Sequence, residues 1–135
     1  MSQENVETIR RMYDLWLHDD ASLFDAFDQD IELHPDPAAD WVGVNDTYRG
    51  HDGMRRYMSQ VYEAFEDYRP EVEALLDAGD KVITLAIEHG RGRSSGATVK
   101  AHRTAHVWTM RGNKAIRVDL YLDRDQALKA AGLRE

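Results

Sequence analysis

Four strand-like segments follow one another closely in the second half of the chain, and this feature limits its possible folds more than any other. Each segment is rich in β-branched, aromatic or alternating apolar residues, the pattern of a half-buried strand. The segments span about 71–76, 81–93, 97–110 and 114–122. The turns between them are Ala78-Gly79-Asp80, Ser94-Ser95-Gly96 and Arg111-Gly112-Asn113. Because such short connections join antiparallel neighbours, we predict a meander of successive hairpins.

Helical patterns and one further strand precede this meander. Apolar residues three and four positions apart predict a first helix over 6–17, and a shorter helix over 21–27 follows a capping aspartate. The alternation over 31–34, closed by Pro35, predicts a short strand at a sheet edge. The chain therefore begins with two helices and a strand.

A third and a fourth helix complete the pattern. The third starts at 50–53 and has apolar positions as far as Tyr68, where Pro70 bars its continuation. The fourth follows Asp123, the first residue of a capping-box pattern, and stops at Gly132. The order ααβαββββα, with helices first and a meander after them, predicts an α+β fold with the helices on one face of a curved sheet.

Composition excludes several classes of function. The chain has 135 residues, which we interpret as one domain over 1–135, and a net charge of −8, which opposes binding to nucleic acid or to anionic membranes. It has no cysteine and therefore no disulfide or thiolate metal site. Without a signal peptide or an apolar run of about 20 residues, we expect a soluble, cytoplasmic protein.

Several short motifs resemble the nuclear transport factor 2-like superfamily, and within it the SnoaL-like family, over nearly the whole chain. The resemblance implies a cone-shaped, curved antiparallel sheet with helices packed on its concave face around a small-molecule pocket, and commonly a homodimer formed by the outer sheet face. Known relatives include steroid isomerases, epoxide hydrolases, dehydratases, polyketide cyclases and binding proteins. The motifs are Asn5-Val6-Glu7, Arg11-Met12-Tyr13, Ile31-Glu32-Leu33-His34-Pro35, Tyr48-Arg49-Gly50-His51-Asp52-Gly53, Asp77-Ala78-Gly79-Asp80, Ala105-His106-Val107-Trp108-Thr109 and Tyr121-Leu122-Asp123-Arg124.

His34 is the first candidate for a catalytic group. The steroid isomerases of the superfamily place a carboxylate base just before a proline at the end of the first strand, and in this chain His34 precedes Pro35 there. Histidine titrates near neutral pH, and Glu32, two residues earlier on the same strand face, can orient its ring. The alternative is that Ile31 and Leu33 face the core and leave Glu32 and His34 in water.

Tyr13 and His106 are the candidate proton donors. The resemblance places Tyr13 at the oxyanion-donating tyrosine of the isomerases, and their second donor falls at His106 or, with a one-residue shift of register, at Ala105. His106 shares a strand face with Trp108, so it would enter the cavity beside an aromatic wall. If His34 also faces that cavity, the two histidines form an acid–base pair. Otherwise His106 is a core residue that hydrogen-bonds a neighbour.

The remaining site predictions concern the pocket wall and the absence of a metal or cofactor. His102 and His106 lie on one strand face about 13 Å apart, too far to share a metal ion. We therefore expect no metal and no cofactor, and a cofactor-independent enzyme that does acid–base chemistry on a small hydrophobic substrate. The alternatives are a non-catalytic ligand-binding protein and a dimeric interaction domain. The predicted wall residues are Trp16, Trp41, Tyr57, Val61 and Trp108.

Overall fold

The computed structural model describes residues 2–37, 47–92 and 98–133. Within these residues no helix is long and apolar enough to cross a membrane. Trp41 and the turn predicted over 94–96 lie outside the described residues. The elements in chain order are α1 (Ser2–Leu17), a 3₁₀ helix (Ala21–Ala26), β1 (Phe27–His34), β2 (Tyr48–Arg49), α2 (Gly50–Ala64), β3 (Phe65–Ala78), β4 (Lys81–Gly92), β5 (Thr98–Arg111), β6 (Lys114–Tyr121) and α3 (Arg124–Ala130).

The six strands form one curled sheet in the order β2-β1-β6-β5-β4-β3. The antiparallel pairings of β3 with β4, β4 with β5 and β5 with β6 confirm the predicted meander. β1 runs parallel to β6 and antiparallel to the two-residue β2. The prediction that 31–34 lie at the sheet edge is therefore wrong, because β2 covers that side of β1.

The boundary between α2 and β3 differs from the prediction. The helix ends at Ala64, not at Tyr68, because residues from Phe65 onward pair with β4, beginning with Phe65 opposite Gly92. Pro70 lies inside β3, opposite Glu88. β3 is an edge strand, and a proline there removes no hydrogen bond that the sheet needs.

The sheet curls around one main core, and helices α1 and α2 cover this concave face as expected. Each fully buried large apolar side chain in this core contributes about 1.5–3 kcal/mol to the free energy of folding. The shorter α3 differs from the prediction of one helical face, because it packs on the opposite side of the sheet, where Ala127 forms a small cluster with Ile83, Ala105 and Val107. Buried residues of the main core include Ile9, Met12, Tyr13, Phe27, Ile31, Leu33, Met54, Tyr57, Val61, Trp108 and Val118.

Two local features confirm predicted helix starts. Asp123 accepts hydrogen bonds from the backbone N–H groups of Asp125 and Gln126 at the start of α3. Gly50 begins α2 with a φ of 70°, and at Gly53 a Cβ atom would lie 2.8 Å from the backbone of Tyr48. Glycine at Gly53 therefore allows α2 to lie against β2, which positions the α2 side chains over the cavity.

Candidate functional site

A narrow cavity lies inside the cone, between the two covering helices and the concave sheet face. Its volume open to water-sized molecules is about 30 Å³, which is room for one or two waters. Most of its lining is aromatic or aliphatic, and the titratable groups among the lining residues described are the His106 ring, the Glu88 carboxylate and the phenols of Tyr57 and Tyr68. The apolar side chains that define its wall include Trp16, Leu33, Tyr57, Met58, Trp108 and Leu120.

His106 is the centre of a buried polar cluster at this wall. Its side chain is 7% exposed, and its Nδ1 lies 2.5 Å from the hydroxyl oxygen of Tyr13. Trp108 donates its indole N–H to the Tyr13 oxygen at 3.2 Å and to the Thr84 hydroxyl at 3.1 Å. Tyr13 also stacks on the His106 ring, with centroids 6.0 Å apart. These contacts fix the orientation of the imidazole.

Glu88 completes the cluster on the other side of the ring. Its Oε1 lies 3.8 Å from His106 Nε2, and its side chain is 24% exposed. Tyr68 donates a hydrogen bond to the same carboxylate. Burial opposes ionisation of Glu88, but its polar and charge interactions with His106, together with the Tyr68 hydrogen bond, outweigh burial and lower its pKa to about 2. His106 therefore lies between a phenol and an ionised carboxylate.

The hydroxyl groups of the tyrosines around the cluster are held in their neutral form. Burial raises the pKa of Tyr13 above its ordinary value, and the hydrogen bonds from Thr84 and Trp108 only partly oppose this. Burial also raises the pKa values of Tyr57 and Tyr68, and the negative charge of Glu88 adds to it. A neutral phenol can donate a proton in a hydrogen bond, which an anionic one cannot.

Strand alternation explains why these residues meet. In β5, His106 and Trp108 are two residues apart and point to the concave face, and Thr84 of β4 lies directly opposite His106. Glu88 follows four residues after Thr84 on the same face, beside the irregular register between Glu88 and Gly90. Two neighbouring strands thus supply the histidine, the carboxylate and the hydroxyl, and α1 supplies Tyr13 from above.

The predicted pair His34 and Glu32 forms, but on the opposite face of the sheet. His34 Nε2 lies 3.0 Å from Glu32 Oε1, and Arg49 donates to the second carboxylate oxygen at 2.5 Å. The hydrogen bond with His34 is the main cause that lowers the pKa of Glu32, and Arg49 adds to it. The side chains of His34 and Glu32 are 26% and 35% exposed.

The expected pairing of His34 with His106 is therefore wrong. Ile31 and Leu33 are 0% and 2% exposed and point into the core, so the two-residue alternation of β1 turns His34 outward. His34 instead borders a surface pocket with Asp119 on the outer face. Whether either histidine is catalytic stays a prediction.

Three of the predicted wall residues line the cavity, one does not, and Trp41 lies outside the described residues. Trp16, Tyr57 and Trp108 lie in the cavity wall. Val61 is buried in the main core but is not among the lining residues. The predicted donor Tyr13 is not among the lining residues and lies against three of them, His106, Trp16 and Trp108.

Glu88 and Tyr68 are the site residues that sequence reasoning missed. Glu88 is the first charged residue after the run Val82–Ile87, and a charge at the end of such a run is the signal that could have identified it. Tyr68 was assigned to a helix and therefore to the core. Its true position, in β3 beside β4, depends on strand pairing that a local pattern does not contain.

Comparison with known proteins agrees with this fold. The model of the SnoaL-like domain matches residues 9–118. A search of the curated proteins found no match. Among the described residues, no three His, Asp or Glu side chains lie close enough together to hold a metal ion.

Solved structures with the same fold cover nearly the whole chain. A nuclear transport factor 2-like protein of unknown function from Burkholderia pseudomallei is 17% identical, with a TM-score of 0.79 and coverage of 93% of this chain and 95% of that one. TerC, co-crystallised with polyporic acid, is 22% identical, with a TM-score of 0.77 and coverage of 96% and 98%. A presumed SnoaL-like polyketide cyclase from Jannaschia is 17% identical, with a TM-score of 0.73 and coverage of 98% and 94%. At these identities the likeness shows the nuclear transport factor 2-like fold.

Proposed function

We propose, because the chain belongs to the SnoaL-like domain family, that it binds a small organic molecule in the cone and that His106 exchanges a proton with it. The observation that carries this proposal is the position of His106, between the Tyr13 hydroxyl at 2.5 Å and the Glu88 carboxylate at 3.8 Å, in the wall of an otherwise apolar cavity. Histidine is the side chain most often used for proton transfer near neutral pH.

The two neighbours of His106 have different roles in this proposal. In the tautomer that accepts a proton, His106 Nδ1–H donates to the Tyr13 oxygen and so fixes the ring, while the unprotonated Nε2 faces Glu88 and the cavity. When Nε2 takes a proton from a bound molecule, the ionised Glu88 carboxylate stabilises the positive charge on the ring. The same arrangement lets Nε2 return the proton to another atom of the molecule. His106 is the proposed acid–base group, and Tyr13 and Glu88 are positioning residues.

Two similarities support a carbonyl-containing ligand. One structural relative is a presumed polyketide cyclase, and another was crystallised with polyporic acid. Isomerisation, dehydration and cyclisation of such compounds share one early step, which is removal of a proton from the carbon next to a carbonyl. We therefore infer a substrate in which this carbon lies beside His106 Nε2.

The test is exchange of carbon-bound hydrogen for deuterium. We expect the protein to accelerate this exchange at the carbon atoms next to the carbonyl of 2-tetralone, a ketone whose ring is fused to an aromatic ring. The exchange is measured in D₂O by proton NMR. His106→Gln should reduce the acceleration at least tenfold, since general acid–base catalysis contributes about 10²–10⁴-fold. The matched control is His34→Gln on the outer face, which should stay within about twofold of the unchanged protein. Equal rates with His106→Gln and the unchanged protein would contradict the assignment.

A non-catalytic binding protein is the second candidate function. It is favoured by the small volume of the cavity, about 30 Å³, and by the internal hydrogen bond that engages Nδ1 of His106. A protein that binds 2-tetralone, as detected by chemical-shift changes in His106, without accelerating exchange would support this candidate. The same fold and cavity serve both functions, so only the exchange rate separates them.

We further propose that two copies associate through the outer face of the sheet. Arg117 and Asp119 point outward from β6 and form a two-bond ion pair, with both distances 2.9 Å. Simple alternation along β6 would turn Ala115 outward with them, but Ala115 is buried, because the register shifts by one residue between Thr109 and Met110. We expect a dimer mass by light scattering, and weaker dimerisation in Asp119→Arg. A monomer mass at all concentrations would exclude the proposal.

A further inference from the structure

Two small cavities meet at the hydrogen bond between Tyr68 and Glu88. Among the described residues, the linings of the inner cavity, beside His106, and of an outer cavity toward Gly90 and His102 have only these two residues in common. Tyr68 donates to the Glu88 carboxylate across the boundary. This contact therefore separates the two spaces.

Neither cavity by itself has room for an organic molecule. Their volumes open to water-sized molecules are about 30 Å³ and 50 Å³, whereas a cavity of roughly 150 Å³ accommodates benzene. A ligand that reaches His106 must therefore displace a side chain. Tyr68 is the shared wall, and its displacement joins the two spaces into one elongated site.

Displacing Tyr68 removes a hydrogen-bond donor from a partly buried carboxylate. A carboxylate left without its partner in such a place carries a desolvation penalty that a bound molecule must offset. Beside it, the hydroxyl of Thr104 is buried and has no hydrogen-bond partner of ordinary geometry among the described residues. This hydroxyl lies close enough to Glu88 to help lower the pKa of the carboxyl group. Thr104 is 3% exposed and belongs to the outer cavity.

We propose that Glu88 and Thr104 form a specificity subsite for an uncharged ligand that carries a hydroxyl group at its outer end. The ligand hydroxyl replaces the Tyr68 hydroxyl as donor to Glu88, and Thr104 supplies a second hydrogen bond to the same group. This inference rests on the proposed function only for the location of the ligand in the cone. It adds the chemical class of ligand that the site selects, which is a neutral molecule with a hydroxyl group.

The charges around the subsite set the selectivity. An anionic group placed where Tyr68 now lies would meet the Glu88 carboxylate and be repelled. His89, which also borders the outer cavity, is held by Glu71 at 2.8 Å. His102 borders the same cavity but is exposed to solvent, so its interaction with a ligand is screened by water. A neutral hydroxyl is therefore the group that this place accepts best.

The experiment compares three probes that share one ring system. The probes are 2-naphthol, 2-methoxynaphthalene and 2-naphthoate, and their dissociation constants are measured by isothermal titration calorimetry on the full chain. We expect 2-naphthol to bind at least tenfold more tightly than 2-methoxynaphthalene, which cannot donate, and 2-naphthoate to bind most weakly. Equal binding of 2-naphthol and 2-methoxynaphthalene, or no binding of 2-naphthol, would overturn the proposal.

Three variants sharpen the comparison, with circular dichroism used to verify folding. Tyr68→Phe leaves no internal hydrogen bond to break and should tighten the binding of 2-naphthol and of 2-methoxynaphthalene at least threefold each, with the difference between the two probes retained. Tyr121→Phe, on the outer face, is its matched control and should change neither. Thr104→Val should weaken 2-naphthol binding severalfold. Glu88→Gln should remove the exclusion of 2-naphthoate, and an unchanged order of the three probes in Glu88→Gln would overturn the proposal.

His106→Gln separates this inference from the proposed chemistry. The variant retains Glu88, Thr104 and Tyr68, so the preference for 2-naphthol should persist even though proton exchange is lost. If the preference is present but no ketone exchanges, the acid–base function fails and the subsite stands. If exchange depends on His106 while the preference is absent in every variant, the subsite fails and the function stands.

Discussion

The chain contains two histidine–carboxylate pairs with similar composition and opposite surroundings. The inner pair, His106 and Glu88, lies in the concave face of the sheet with side chains 7% and 24% exposed. The outer pair, His34 and Glu32, lies on the other face with 26% and 35% exposed. The outer pair has the shorter separation, 3.0 Å against 3.8 Å. By distance alone, the outer pair would be the stronger interaction.

Surroundings reverse that ranking. The outer carboxylate is also bonded to Arg49 and is in contact with water, which screens each interaction. The inner carboxylate has Tyr68 and His106 as partners in a largely apolar cavity, where each interaction is stronger and the loss of any partner costs more. The comparison teaches that burial, more than proximity, determines which pair controls stability and chemistry.

Removal of each carboxylate gives the largest expected difference between the pairs. Glu88→Ala leaves the Tyr68 hydroxyl without its acceptor and the His106 ring without its neighbouring carboxylate, and we expect a loss of about 3 kcal/mol in the free energy of unfolding. Glu32→Ala, the matched change on the outer face, should give a urea midpoint within the error of the measurement. Equal midpoints for the two variants in urea denaturation would contradict the importance of burial.

Acid should weaken the inner pair in a defined range of pH. Because the pKa of Glu88 in the folded protein is lowered from 4.5 to about 2, the stability that its carboxylate provides is complete above pH 5. It is lost as the pH falls from about 5 toward 2. We expect Glu88→Gln to be less stable than the unchanged protein by about 2 kcal/mol at pH 7, and the difference to shrink across that range.

The control for the acid experiment is Glu32→Gln, measured at the same pH values by urea denaturation. Its difference from the unchanged protein should be small throughout, because the Glu32 carboxylate is hydrated. A stability difference for Glu88→Gln that is constant from pH 7 to pH 2 would show that its effect comes from shape and not from charge.

The sequence predicted most of the elements and the family, because their signals are local. Apolar spacing located α1, the turn residues located the meander, and Asp123 located the start of α3. It did not predict that Phe65 to Tyr68 leave the helix, because the same apolar spacing fits a helix end and an edge strand. Only pairing with β4 decides between them.

The site was predicted less well, because it depends on which face of each strand points inward. For β5 the alternation placed His106 and Trp108 together, and both lie in the cavity wall. For β1 both faces carried plausible residues, and the choice between His34 and Leu33 depended on the packing of Leu33 against the core. Glu88 was missed because its partner, His106, is 18 residues away in sequence.

Salt provides the smallest and most selective test of the comparison. At about 1 M salt the screening length falls to roughly 3 Å, which weakens interactions between hydrated charges. The contact of Arg49 with Glu32 lies in water, so any measurable stability difference between Arg49→Gln and the unchanged protein should disappear in 1 M sodium chloride. The difference for Glu88→Gln should persist, because its partners line a narrow and largely apolar cavity in which screening is weaker. Equal salt sensitivity of both differences would mean that the inner carboxylate is hydrated like the outer one. The role proposed for His106 depends on the burial of that carboxylate and would then be wrong.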